Sequence, residues 1–250
     1  MSYIAIVDYG AGNLMSVHNT LDYLGYENKI AASADVIENA AGVILPGVGA
    51  FPDAMAALTD SGLTEAVLKA AKEKPFLGIC LGMQMAMVAF ARNVLGYEDA
   101  NSSELNPDTT HPVVDLMPDQ NGIENLGGTL RLGSYPCVLD KKSKAYALYG
   151  TELINERHRH RFEINNHYRD DFTSHGMMIS GQSPDGHIVE MIELPDHPFY
   201  VGIQAHPELK SRPNRPHPLF RGFIEAALKY QNDHKSVSYT HLTLPTILLV

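Results

Sequence analysis

The feature that most constrains this chain is a strand that ends in a cysteine and turns at once into a helix. Phe76-Leu77-Gly78-Ile79 is a short apolar run, Cys80 follows between Gly78 and Gly82, and Met83, Met87 and Phe90 then recur at helical spacing. A chain reverses that sharply only where glycines allow close backbone approach, and it needs a sheet with strands on both sides to bury the run. Other segments repeat the same strand-then-helix pattern. Ile4 to Val7 is followed by Leu14, Val17, Leu21 and Leu24, stopped by Gly25. Gly42 to Leu45 is closed by Pro46-Gly47, and Asp53 to Lys72 reads as one alanine- and leucine-rich helix ending before Pro75. Strands alternating with helices of this length imply βαβ units with right-handed crossovers, so the expected class is α/β: a three-layer sandwich around a mostly parallel central sheet.

Beyond residue 100 the β signals dominate. Gly128 to Val138, Leu153 to Ile164 and Phe199 to Ile203 read as strands, Pro184-Asp185-Gly186 as a hairpin turn into His187 to Leu194, and Pro218 to Tyr230 as an amphipathic helix. No internal repeat or linker interrupts residues 1–235, which are expected to form one domain with a small antiparallel β element. The net charge of −10 argues against nucleic acid and anionic membrane as partners. Two cysteines, Cys80 and Cys137, are too few for a disulfide scaffold, and the first residues lack a basic, cleavable leader, so a cytoplasmic location is expected. Residues 236–250 carry no Asp, Glu, Lys or Arg, and the string SVSYTHLTLPT resembles a translated sequencing adaptor; this tail is expected to be foreign to the fold or disordered.

The chemistry gathers around the cysteine. At a helix N-terminus the dipole and free N–H groups favour a thiolate, and the Leu81 N–H would face an oxyanion developing on a group attacked by Cys80. His206-Pro207-Glu208 follows a strand ending at Ile203-Gln204, which supplies a base for Cys80 and a carboxylate to orient that base. Cys137 has no nearby histidine and reads as structural. Arg157, Arg159 and Arg161 alternate with His158 and His160, which places arginines and histidines on opposite strand faces. A His-x-His metal site lacks accompanying ligands at suitable spacing, so no metal is expected. Gly10-Ala11-Gly12 departs from the dinucleotide fingerprint at Met15.

GICLGMQ and AHPE, in that order and with PGVG upstream, resemble the class I glutamine amidotransferases, which have a flavodoxin-like fold. The resemblance implies a glutaminase that uses Cys80, His206 and Glu208 as its triad and forms a cysteine thioester, with Val48 and Gly49 of the PGVG loop as the second oxyanion contact. No cofactor is implied. Ala205 stands where most members carry phenylalanine. Within the class, residues 1–84, with DYGAGNLMSV and LPGVGAFPDAM, look like the glutaminase subunit of imidazole glycerol phosphate synthase of histidine biosynthesis. Residues 78–234, with ERHRHRFEINN and KSRPNRPHPLFRGF, look like the glutaminase domain of CTP synthase. All nine arginines lie after residue 84, so a chimera joined at the shared GICLGMQ string is expected. The CTP synthase resemblance places L-glutamine against Gln84, Glu104 and Arg161, a carboxylate for the ammonium and a guanidinium for the carboxylate. The ammonia is then expected to aminate UTP in a synthetase domain or subunit outside this chain, since no GxxxxGK[ST] string is present. The alternatives are delivery to the cyclase of the histidine pathway, a folded but inactive relic, and a γ-glutamyl hydrolase on the same fold.

Overall fold

The structure is a computed structural model that describes residues 3–116, 131–212 and 214–238, with side chains as far as residue 234. The tail from 239 onward, and the first residues of the strand expected from Gly128, lie outside the described residues.

Five strands form a parallel half-sheet: β1 (Ile4–Val7), β2 (Asn28–Ala31), β3 (Gly42–Gly47), β4 (Phe76–Cys80) and β12 (Tyr200–Ile203). The sheet continues antiparallel through β11 (Val189–Glu193), β10 (Met178–Gln182), β7 (Arg131–Leu139) and β8 (Leu153–His160), giving the order β2-β1-β3-β4-β12-β11-β10-β7-β8. A second small sheet joins β5 (Asn101–Ser102), β6 (Pro112–Leu116) and β9 (Phe162–Ile164), with β6 and β9 antiparallel.

Alternation along the strands divides the core into two layers. Ile4, Ile6, Ile44, Leu77 and Ile79 point to one face, where α1 (Leu14–Tyr23) packs Val17 and Leu21 and the last helix (Pro218–Ser238) packs Phe220 and Phe223. Ala5, Val7, Val43, Leu45 and Phe76 point to the other face, against α2 (Ala34–Glu38), α3 (Phe51–Asp60), α4 (Thr64–Glu73) and α5 (Leu81–Phe90). Phe220 and Phe223 are fully buried, each stabilising the fold by roughly 1.5–3 kcal/mol relative to exposure.

Three expectations need correction. The single helix expected over Asp53 to Lys72 is two, α3 and α4, because Gly62 takes a left-handed φ of +70° that an α-helix cannot contain. The strand expected over Leu153 to Ile164 divides at Arg161, and its halves join different sheets. The final helix passes Tyr230 and reaches Ser238. The strand β2 and the helix α2 carried no legible signal: one is an edge strand exposing Lys29 and Ile30, the other has five residues.

Candidate active site

Cys80 ends β4 and precedes α5 with φ +53° and ψ −110°, the one left-handed non-glycine residue among those described. Such a conformation costs on the order of 1–3 kcal/mol and persists only where the surroundings impose it. They do so through two glycines. A Cβ on Gly82 would lie 1.9 Å from the Leu45 carbonyl oxygen, and one on Gly78 would lie 2.9 Å from the Gly82 carbonyl oxygen. Leu81 is the first residue of α5, so its N–H belongs to the helix end that has no intrahelical partner.

The β3/β4 ladder pairs Gly47 with Cys80, which brings Val48 and Gly49 alongside the elbow, with Gly49 at φ +97°. The Tyr9 hydroxyl donates to the Pro46 carbonyl at 2.8 Å and ties this loop to the end of β1. From the opposite side, β12 runs parallel to β4 with Ile203 opposite Ile79, so the chain after β12 passes beside Cys80. His206 is fixed there by its backbone N–H, which donates to the Arg157 carbonyl of β8 at 2.8 Å.

His206 Nδ1 lies 2.8 Å from Glu208 Oε1, and both side chains are buried. With Nδ1 engaged, Nε2 is the nitrogen left to act on Cys80, which lines the same cavity. Burial alone would lower the basicity of His206. The hydrogen bonds and charges of Cys80 and Glu208 outweigh it and push the imidazole up to about 10, so a protonated imidazole sits beside the sulfur at neutral pH.

A cavity of about 690 Å³ opens over this group. All nine residues expected in the site line it: Cys80, Leu81, Val48, Gly49, Gln84, Glu104, Arg161, His206 and Glu208. Glu104 Oε2 accepts from the Phe51 N–H at 2.9 Å and so also holds the start of α3. Burial raises its carboxyl above the ordinary value, while the Phe51 N–H and the Arg161 charge oppose that. Gln84 is 1% exposed, and its Nε2 donates to the Phe162 carbonyl at 2.9 Å. The cavity is thus a polar slot with a carboxylate, a guanidinium and an amide around a cysteine–imidazole pair, a set that can hold a free amino acid by its charged ends.

Gly12 and Asn13, from the turn that failed the dinucleotide fingerprint, line the same cavity. Two further features escaped sequence reasoning. Gln204 is fully buried between Cys80 and Gln84. Behind His206, the inward histidines of β8 enter a buried charged cluster. His158 Nδ1 lies 2.9 Å from His160 Nε2, His158 Nε2 lies 3.4 Å from Glu190 Oε2, and Arg131 Nη2 lies 2.6 Å from Glu190 Oε1. Burial, with the nearby positive groups, lowers His158 to about 2 and His160 to about 3, so both stay neutral. The alternation in ERHRHR gave the faces of these histidines correctly but not their partners, which come from β7 and β11. Cys137 is buried, and burial raises its thiol. Among the described residues no group of His, Cys, Asp or Glu could hold a metal ion, and no helix is long and apolar enough to cross a membrane.

A cysteine elbow on a parallel sheet, with a histidine and a carboxylate delivered from the adjacent strand, defines a class of α/β proteins with a cysteine–histidine–carboxylate site. Within it, the model of the family "Glutamine amidotransferase class-I" matches residues 5–226, and the chain belongs to that family and has its flavodoxin-like fold. It is 50% identical over 235 residues to a CTP synthase of Clostridium beijerinckii and 53% identical over 232 residues to one of Geobacillus kaustophilus. Each match covers 91% of this chain and 42% or 43% of the relative, so the chain spans less than half the length of these proteins. That coverage exceeds residues 78–234, over which the CTP synthase likeness is expected from the sequence motifs. Among solved structures, the glutaminase domain of Trypanosoma brucei CTPS with bound acivicin superimposes with TM-score 0.77 at 28% identity, covering 92% of this chain and 94% of that one.

Proposed function

We propose that this chain hydrolyses L-glutamine to glutamate and ammonia through a thioester on Cys80, and that the ammonia serves amination of UTP by a synthetase portion outside the residues present. The observation that carries the proposal is the strained Cys80 elbow sharing one cavity with a His206 that Glu208 holds from behind. The Cys80 thiolate attacks the side-chain carboxamide carbon, and the Leu81 N–H with the Val48–Gly49 loop takes the charge that builds on oxygen. As the carbon–nitrogen bond breaks, His206 gives its proton to the departing nitrogen, and ammonia leaves. Water, deprotonated by the now neutral His206, adds to the thioester; sulfur departs as thiolate, and glutamate is released. Glu208 keeps the imidazole in the tautomer and orientation both steps need. Arg161 holds the substrate carboxylate, Glu104 its ammonium, and Gln84 its amide region.

Support for the acceptor comes from the CTP synthase relatives, which are more than twice as long as the match. Purified protein is expected to release glutamate and ammonia from glutamine, and Cys80→Ser to reduce that turnover at least 1,000-fold, about the scale on which a triad acts. Retained turnover in Cys80→Ser overturns the assignment. Mixing the chain with the synthetase portion of one of these relatives, ATP and UTP is expected to yield CTP from glutamine; ammonia release without CTP refutes the acceptor while leaving the hydrolase intact.

A further inference from the structure

Gln204 occupies the position that the β4/β12 register makes the neighbour of Cys80. Ile79 pairs with Ile203, so the next residue on each strand leaves the sheet side by side with the other. The backbone N–H of Gln204 donates to the Glu190 carbonyl at 2.9 Å and fixes the residue from behind. Its side chain is fully buried and bridges two groups of the site: Nε2 donates to Cys80 Sγ at 3.7 Å, and Oε1 accepts from Gln84 Nε2 at 3.2 Å.

The polarity of this chain is set by one backbone atom. The Phe162 carbonyl can only accept, so the side chain of Gln84 must turn its NH₂ group to it, at 2.9 Å. That NH₂ also meets Gln204, which must therefore answer with its own carbonyl and leave its NH₂ for the sulfur. A donor, and not an acceptor, is thereby aimed at the atom that becomes a thiolate. A hydrogen bond to an anion is roughly twice as strong as one between neutral groups, and stronger still where water is excluded. The same orientation leaves Gln84 Oε1 buried and without a hydrogen-bond partner among the described residues, on a side chain lining the cavity. An unpaired buried acceptor is costly until a donor reaches it, and the substrate's N–H groups are donors.

We propose that Gln204 holds the Cys80 thiolate through a directionally fixed N–H donor and, through Gln84, couples the nucleophile to the glutamine site. The proposal rests on the assignment of Cys80 as nucleophile. β4, which ends in the elbow, supplies the nucleophile, and the chain leaving its neighbour β12 supplies a donor to it. The sequence offers Gln204 only as the residue before Ala205-His206; its meaning depends on strand register.

The test uses the full chain and two readouts, alkylation of Cys80 by iodoacetamide at pH 7 and steady-state glutamine hydrolysis, with thermal midpoints to confirm folding. Gln204→Met keeps the volume and removes both bonds. It is expected to slow alkylation and lower kcat about tenfold each, the worth of one charge-assisted hydrogen bond, and to raise KM about threefold as Gln84 loses its alignment. In a Gln84→Met background, Gln204→Met should still slow alkylation and lower kcat but leave KM where Gln84→Met alone puts it. A general packing defect would not separate the two effects in this way. Should Gln204→Met fail to fold, Gln204→Asn retracts the donor by one methylene and carries the same test. A folded variant that alkylates within twofold of the unmodified protein overturns the proposal. Wild-type protein whose Cys80 alkylates readily but which turns over no glutamine refutes the hydrolase assignment instead, and the alkylation comparison still decides the role of Gln204.

Discussion

Removing the buried histidine pair of β8 should flatten the acid side of the stability curve. His158 and His160 are neutral in the fold, lowered to about 2 and 3 by burial and by the positive groups around them, but in the unfolded chain they titrate at an ordinary value near 6.5. Their folded values lie below the unfolded one, so as pH falls through 6.5 the unfolded state binds protons that the folded state refuses, and stability is lost. Each imidazole contributes about 1.4 kcal/mol of loss at pH 5.5 against less than about 0.1 kcal/mol at pH 7.5, so the pair accounts for about 2.7 kcal/mol between those values. In a chain of this length that corresponds to roughly 5–10 °C in thermal midpoint. Other groups act in the opposite sense. His206, raised to about 10, is stabilised fully below pH 6.5 and loses that contribution as pH rises towards 10, and burial raises Glu190. They remain, with Arg131 and Glu163, in a His158→Gln/His160→Gln variant, so the difference between the two proteins isolates the pair. Thermal midpoints at pH 7.5 and 5.5 should show the variant spared about 5–10 °C of the fall that the unmodified protein suffers. Equal falls in both would refute the placement of these histidines as buried and neutral.

Glu208→Gln keeps the shape of the side chain but removes the charge that orients and sustains His206, and is expected to lower kcat about 10- to 100-fold with KM nearly unchanged, in the glutaminase assay. Arg161→Lys exchanges a planar fork for a point charge and should raise KM for glutamine about tenfold with a smaller effect on kcat; equal KM values would remove Arg161 from the substrate site. Gly82→Ala would force a Cβ against the Leu45 carbonyl, 1.9 Å away, so α5 must move off β3; a displacement near 1 Å is worth on the order of 100-fold in turnover, with a lowered thermal midpoint. An active and equally stable Gly82→Ala would contradict the packing described at the elbow.

What the sequence reveals here is what depends on neighbours along the chain. The elbow is legible because Gly78, Cys80 and Gly82 impose their geometry within five residues, and His206 with Glu208 because they stand two apart on a short turn. Four of the five parallel strands, β1, β3, β4 and β12, follow from apolar runs, buried on both faces, that need no partner to be recognised. The features that stayed hidden are those assembled from distant segments. Gln204 gains its place only from the register of β12 against β4. The cluster of Arg131, Glu190, His158 and His160 draws on three strands whose order along the sheet no local pattern gives. Gly62 stands in an alanine- and leucine-rich stretch that reads as continuous helix, although one left-handed residue is enough to end a helix. The sequence shows the charge of Glu104 but not its bond to the Phe51 N–H, through which it also anchors α3 at the rim of the cavity.

The central claim, that Cys80 is acylated by glutamine and released with the help of His206, is tested most directly by trapping the intermediate. Protein mixed with glutamine, quenched in acid within milliseconds to seconds and digested should yield the Cys80 peptide carrying a γ-glutamyl group. The adduct should accumulate further in His206→Asn, where water has no base to activate it, if acylation still proceeds at the residual rate of the elbow. Turnover of glutamine with no adduct on Cys80 at any time, or an adduct on Cys137 in its place, would contradict the account.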